Sequence, residues 1–295
     1  MSQYAHLSII DPEFAEASAS VPMLDPPDDV AEMRRRFDFV IGLGNERNPL
    51  LLHPPSELRV EDHKVPVDGG EITVRCMVPT PGGESAGPFP LYVNYHGGGW
   101  TIGGLITDDA WLRQLCVEQQ ISVVDVDYRL APEFPWPIPH EDSYTALKWA
   151  AENTALLRTD LSKGFIVGGA SAGGNIAASL ALRARDDPFF RERSLTGQYL
   201  QIPVTIHPSN VPEKFKAELL SMDMPFDARF LNKNSMLQFY GLWKPDPSDI
   251  NTWPLLHPNH AGVAPAVIQV CGMDPLRDEG ILYEKAASYS TESFG

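Results

Sequence analysis

The stretch that most constrains this chain is GFIVGGASAGGNIAASLAL, residues 164–182. GFIVGG, 164–169, is a short apolar run of the buried-strand type, and NIAASLALRARD, 175–186, reads as a helix. Between them stands Gly169-Ala170-Ser171-Ala172-Gly173. A chain that passes from strand to helix within so few residues must turn sharply, and glycines permit that turn without Cβ clashes. Ser171 is then left at a helix N-terminus, where the dipole and free N–H groups favour a developing negative charge. G-x-S-x-G in this strand–helix context is what a nucleophile elbow requires.

The neighbouring text supports the same class. FPLYVNYH (89–96), ISVVDVDY (121–128), YLQIPVTIHP (199–208) and AVIQVCG (266–272) read as buried strands, while WLRQLCVEQ (111–119) and HEDSYTALKWAAENTALL (140–157) read as helices. Strands alternating with helices imply an α/β fold, a mostly parallel sheet with helices on both faces. LRVEDHKVPV and EITVRCMVP alternate as a hairpin that turns at Asp68-Gly69-Gly70. Residues 1–30 are rich in proline and acid and read as a loose arm, followed by a helix over 31–44 that stops at glycine. Between 209 and 262, KAELLSMD and SMLQFYGLW read as short helices among many prolines. Ligands bind at the carboxyl ends of strands in such sheets, so an insertion there reads as a lid. The expected division is an arm with cap helices over 1–50 and the α/β domain over 51–295, with a cap insertion at about 209–250. Met222, Met224, Phe226, Phe230, Phe239, Tyr240 and Trp243 would line an apolar pocket or form the cap's own core.

A net charge of −16 argues against nucleic acid as a partner, because phosphate binding needs clustered Lys and Arg. The one dense basic run, Arg34-Arg35-Arg36, is flanked by acids and reads as a solvated helix face. Cys76, Cys116 and Cys271 show no metal-ligand spacing and read as buried free thiols that suit a reducing compartment. No secretory signal and no run of 18 apolar residues is found, so the expectation is a cytoplasmic chain without a membrane span.

Two more motifs complete the pattern. His96-Gly97-Gly98-Gly99-Trp100 follows a strand, and its glycines let backbone N–H groups point at a substrate oxygen, with His96 as a loop organiser. In Asp127-Tyr128-Arg129-Leu130-Ala131-Pro132-Glu133, Arg129 is expected to pair with Asp127 or Glu133. HGGGW, DYRLAPE, GASAGG and GMDPLRDEG in this order resemble the hormone-sensitive-lipase-like family of α/β-hydrolases over roughly residues 60–285. The resemblance implies a serine carboxylesterase site under a helical cap, with no metal or organic cofactor and a small-molecule ester as substrate. It implies Ser171 as nucleophile, the N–H groups of Gly98, Gly99 and Ala172 as oxyanion hole with Gly97 adjoining, and Asp274 as the triad acid.

The family's order is Ser, Asp, then His. No histidine follows Asp274, and 21 residues remain. A helix, a strand and two loops need about 25–30. The expectation is a C-terminally truncated hydrolase lacking the last strand and the triad histidine, which leaves 266–272 as an open edge that invites pairing, such as a homodimer. His207, after the strand 199–208, is the candidate substitute base; His140 reads as a helix-start residue, and His257 and His260 as loop caps. The alternatives to ester hydrolysis are a receptor-like protein that binds a small molecule without turnover and a lyase or dehydratase that reuses the oxyanion hole.

Overall fold

The computed structural model describes residues 3–19, 27–47, 53, 56–81, 86–224 and 231–289. Seven strands form one sheet: β1 (Leu58–Val67), β2 (Gly70–Pro79), β3 (Leu91–Tyr95), β4 (Ser122–Asp127), β5 (Phe165–Ala170), β6 (Gly197–Gln201) and β7 (Ala266–Gln269). Their order across the sheet is β1-β2-β4-β3-β5-β6-β7. The first two pairings, β1 with β2 and β2 with β4, are antiparallel, and every later one is parallel. The helices are α1 (Pro12–Ala19), α2 (Val30–Arg47), α3 (Asp109–Gln119), α4 (Ile138–Glu152), α5 (Thr154–Leu157), α6 (Ala172–Asp186), α7 (Lys233–Trp243) and α8 (Arg277–Tyr289).

Side-chain alternation sends successive strand residues to opposite faces. Leu91, Val93, Val124, Val126 and Val167 pack with α4, α6 and α8 through Leu147, Ile176, Leu180 and Leu282. Tyr92, Val123 and Met77 face the other way and pack on Leu112 and Cys116 of α3. β3 is buried along its whole length, as a strand covered on both faces must be. The hairpin turns where the Asp-Gly pair lies: Val67 pairs with Gly70, and Gly69 has φ 71°.

Several boundaries differ from those read in the sequence. α2 runs through Gly42 and Gly44 to Arg47, because an interior glycine costs only about 1 kcal/mol and ends a helix only when it takes the left-handed cap. β6 stops at Gln201 rather than running to 208: Ile202 sits at φ 40° and Pro203 has no N–H for the ladder. β7 is likewise shorter, Ala266–Gln269. The segment 216–223 forms no α-helix, only single turns at Glu213–Phe215 and Ser221–Asp223. The arm is not wholly loose, since it contains a turn at Ala5–Ser8 and α1. Phe226 and Phe230 lie outside the described residues.

The arm and the 209–250 region meet above the carboxyl ends of the strands. Met33 of α2, Ile102 and Phe239 of α7 form a small apolar cluster, and Gln238 Nε2 donates to Pro27 O at 3.0 Å. Among the described residues no helix is long and apolar enough to cross a membrane.

Candidate active site

Ser171 is the residue between β5 and α6, at φ 54° and ψ −114°, with no capping hydrogen bond from its side chain. A non-glycine residue at positive φ is strained and persists only where the surroundings over-determine it. Here they do: Ser171 N donates to Gln201 O at 2.8 Å, and Ser171 O accepts from Asn175 N at 2.9 Å and Val204 N at 3.4 Å. The turn is also wedged against β3. A Cβ on Gly173 would lie 1.8 Å from Tyr95 O, so only glycine fits there.

The HGGGW loop lies beside this turn, with Gly97 against Ala170 O. His96 is an organiser, as its position suggested: Nδ1 donates to Gly97 O at 2.8 Å, and its ring stacks on Tyr128 at 4.3 Å. Tyr128 OH donates to His96 O at 2.7 Å. Burial pulls the His96 pKa down to about 4, so the ring is neutral near pH 7. Gly98 O accepts from Thr101 N and Ile102 N, and Gly99 O accepts from the Thr101 hydroxyl. The carbonyls are thereby occupied. The Gly98 and Gly99 N–H groups donate to no carbonyl among the described residues. Ala172 opens α6, so its N–H is one of the helix's free donors. Gly99 has φ 57°, and the Phe239 ring occupies the space a Cβ would take, which seats α7 on the loop.

Asp274 lies between β7 and α8 and is 9% exposed. Its carboxylate accepts the Leu276 N–H at 2.7 Å. Burial pushes its pKa up to about 6, against the lowering effect of that bond. Glu279, on the first turn of α8, is more deeply placed. Its Oε1 accepts Thr205 N at 2.6 Å, Thr205 Oγ1 donates to Glu279 O at 3.1 Å, and burial raises its pKa to about 8. Since Val204 N contacts Ser171 O, Glu279 ties α8 to the segment that backs the serine. The sequence reading did not pick out Glu279; the only signal was an acid in a helix first turn, which ordinarily answers to the dipole.

The structure corrects two charge assignments and the exposure of one thiol. Arg129 pairs with Asp142 at 2.7 Å, not with Asp127 or Glu133, because α4 places that carboxylate beneath the loop. Arg34 is not part of a solvated face: its guanidinium forks onto Glu133 at 2.7 and 2.8 Å and also donates to Thr101 O and Ala131 O. Arg35 and Arg36 do stay outside, paired with Glu32. Cys271 is exposed, whereas Cys76 and Cys116 are buried, and all three are free.

His207, the candidate substitute base, caps the turn Pro208–Asn210. Its Nδ1 accepts from Ser209 N at 3.2 Å and bonds the Ser209 hydroxyl at 2.8 Å. Its ring packs against Tyr240 and Trp253. His140 bonds Asn175 Oδ1 at 3.0 Å, and His257 and His260 hold loop carbonyls. Tyr240 and Trp243 are buried and join Trp100 and Trp253 in an aromatic cluster that is continuous with the main core, so they neither form a separate cap core nor stand as an open pocket lining. Among the described residues no group of three or more His, Cys, Asp or Glu is placed to hold a metal ion.

A mostly parallel sheet, a strained serine between strand and helix, and a glycine loop beside it define an α/β-hydrolase. The chain belongs to this family: the one described as alpha/beta hydrolase fold matches residues 92–292, and the hormone-sensitive-lipase-like resemblance stands. It is 39% identical over 237 residues to carboxylic ester hydrolase LipN of Mycobacterium tuberculosis, covering 79% of this chain and 60% of that one. It is 34% identical over 286 residues to versiconal hemiacetal acetate esterase of Dothistroma septosporum, covering 96% and 82%. Among solved structures, vibralactone cyclase superposes with a TM-score of 0.92 at 40% identity, covering 96% of this chain and 84% of that one.

Proposed function

We propose that this protein is a serine hydrolase of the carboxylesterase type, acting on small carboxylic esters by acyl transfer. The observation that carries the reading is Ser171 held at φ 54° at the N-cap of α6, beside a glycine loop whose Gly98 and Gly99 N–H groups donate to no carbonyl among the described residues. The Ser171 hydroxyl attacks the ester carbonyl and gives its proton to water, which passes it to the leaving alcohol; the carbonyl oxygen becomes an oxyanion, and the N–H groups of Gly98, Gly99 and Ala172 receive it. Collapse expels the alcohol and leaves an acyl-serine, which water hydrolyses. Asp274 matches the acid of the family's triad, and burial sets its ionisation near pH 6. Relatives named as ester hydrolase and esterase support the reaction class. The three free thiols suit a reducing, cytoplasmic compartment.

A second reading, binding of a small molecule without turnover, is favoured by one observation. Among the described residues the Asp274 carboxylate receives only the Leu276 N–H and no histidine. The deciding experiment treats the protein with a fluorophosphonate probe and a chromogenic short-chain ester, beside Ser171→Ala. Labelling and turnover that both vanish in Ser171→Ala establish the hydrolase. Ligand binding with neither labelling nor turnover establishes the second reading.

A further inference from the structure

Arg34 is 30% exposed in its side chain and makes four hydrogen bonds to two separate loops. Nε donates to Thr101 O at 3.0 Å; one terminal nitrogen donates to Ala131 O at 3.0 Å and Glu133 Oε2 at 2.7 Å; the other donates to Glu133 Oε1 at 2.8 Å. Thr101 is part of the glycine loop itself: its N–H bonds Gly98 O and its hydroxyl bonds Gly99 O. Ala131 N donates to Trp100 O at 2.9 Å, so the second loop is stitched to the first just where Arg34 reaches both. Beside Arg34, Met33 is buried against Ile102 and Phe239. α2 therefore touches the loop through one apolar and one guanidinium anchor. A planar fork on a carboxylate fixes direction as well as distance, which an ammonium does not.

On the reading of Ser171 and the glycine loop given above, we propose that Arg34 is a positioning residue of the oxyanion hole: it clamps Thr101 and Ala131–Glu133 from the arm and so sets where the Gly98 and Gly99 N–H groups point. Oxyanion donors act only when preorganised, and a small displacement of such a group lowers the rate without changing what binds.

The experiment compares the full chain with Arg34→Met, Arg34→Lys and Glu133→Gln. It measures the maximal rate and the half-saturating concentration for fluorophosphonate labelling at Ser171, together with backbone hydrogen exchange over 97–103. Arg34→Met is expected to lower the maximal rate about tenfold while half-saturation stays within about twofold, the signature of an interaction made in the transition state. Exchange over 97–103 rises with it. Arg34→Lys restores only part, since the fork is lost, and Glu133→Gln gives the same direction with a smaller size and keeps the test open should Arg34→Met fold poorly. An unchanged maximal rate, or a fall matched by weaker half-saturation, overturns the proposal. A chain that takes no label at Ser171 sinks the hydrolase reading instead. Exchange over 97–103 then still decides on Arg34, faster exchange in Arg34→Met supporting the clamp and unchanged exchange overturning it.

Discussion

Glu279 Oε1 accepts the Thr205 N–H at 2.6 Å, inside the protein and one residue from the Val204 N–H that meets Ser171 O. A carboxyl group on α8 thus buttresses the Ser171 turn, and its protonation state matters to the fold.

The first prediction follows from that placement. Burial raises the Glu279 pKa from the ordinary carboxyl value to about 8, so the folded state holds a proton that the unfolded chain releases near pH 4.5. The resulting stability is fully present below about pH 4.5 and is lost as pH rises toward 8, about 5 kcal/mol at most. Melting temperature should fall between pH 5 and 8, and Glu279→Gln should flatten that slope. Equal slopes in both proteins would remove Glu279 as the cause.

Gly173→Ala places a methyl carbon 1.8 Å from Tyr95 O, a backbone atom of β3 that cannot step aside. The cost should be about 3 kcal/mol or more, at the upper end for overpacking. Denaturant unfolding measures it, and a neutral substitution would mean that the elbow sits farther from β3.

Arg129→Met removes the guanidinium from Asp142, whose side chain is 1% exposed. A buried carboxylate stripped of its partner costs about 3–5 kcal/mol, whereas Arg129→Met with Asp142→Leu should recover much of that. The double-mutant cycle by thermal unfolding separates the two cases.

His207→Ala should leave fluorophosphonate labelling of Ser171 unchanged, because the imidazole spends Nδ1 on the Ser209 turn. The loss should appear in stability, about 1 kcal/mol, as for other capping side chains. A large fall in labelling rate at unchanged melting temperature would point to His207 as the base.

Much of the site was legible in one sequence because its determinants are local. The strand–glycine–serine–helix order at 164–182 specifies a turn whose backbone angles only small residues tolerate, and Ser171 stands there at φ 54°. The Asp68-Gly69 turn set the register of β1 on β2 from Leu58↔Pro79 to Val67↔Gly70. Short continuous apolar runs marked the strands buried on both faces. Boundaries were read less well where a proline or an uncommon backbone angle intervened, as at Ile202-Pro203.

Other features depended on groups far apart in the chain. Arg34 and Glu133 are 99 residues apart, and Thr205 and Glu279 are 74 apart. Nothing local to RRR says which guanidinium turns inward, and nothing local to RDEG says which carboxyl is buried. Sequence alone determined the hydrolase frame and the serine turn, since backbone sterics and hydrophobic period act over a few residues. Tertiary structure alone decided the partners of Arg34, Arg129, His207 and Glu279, because a charge or an imidazole takes its role from whichever groups the packed elements bring within about 3 Å.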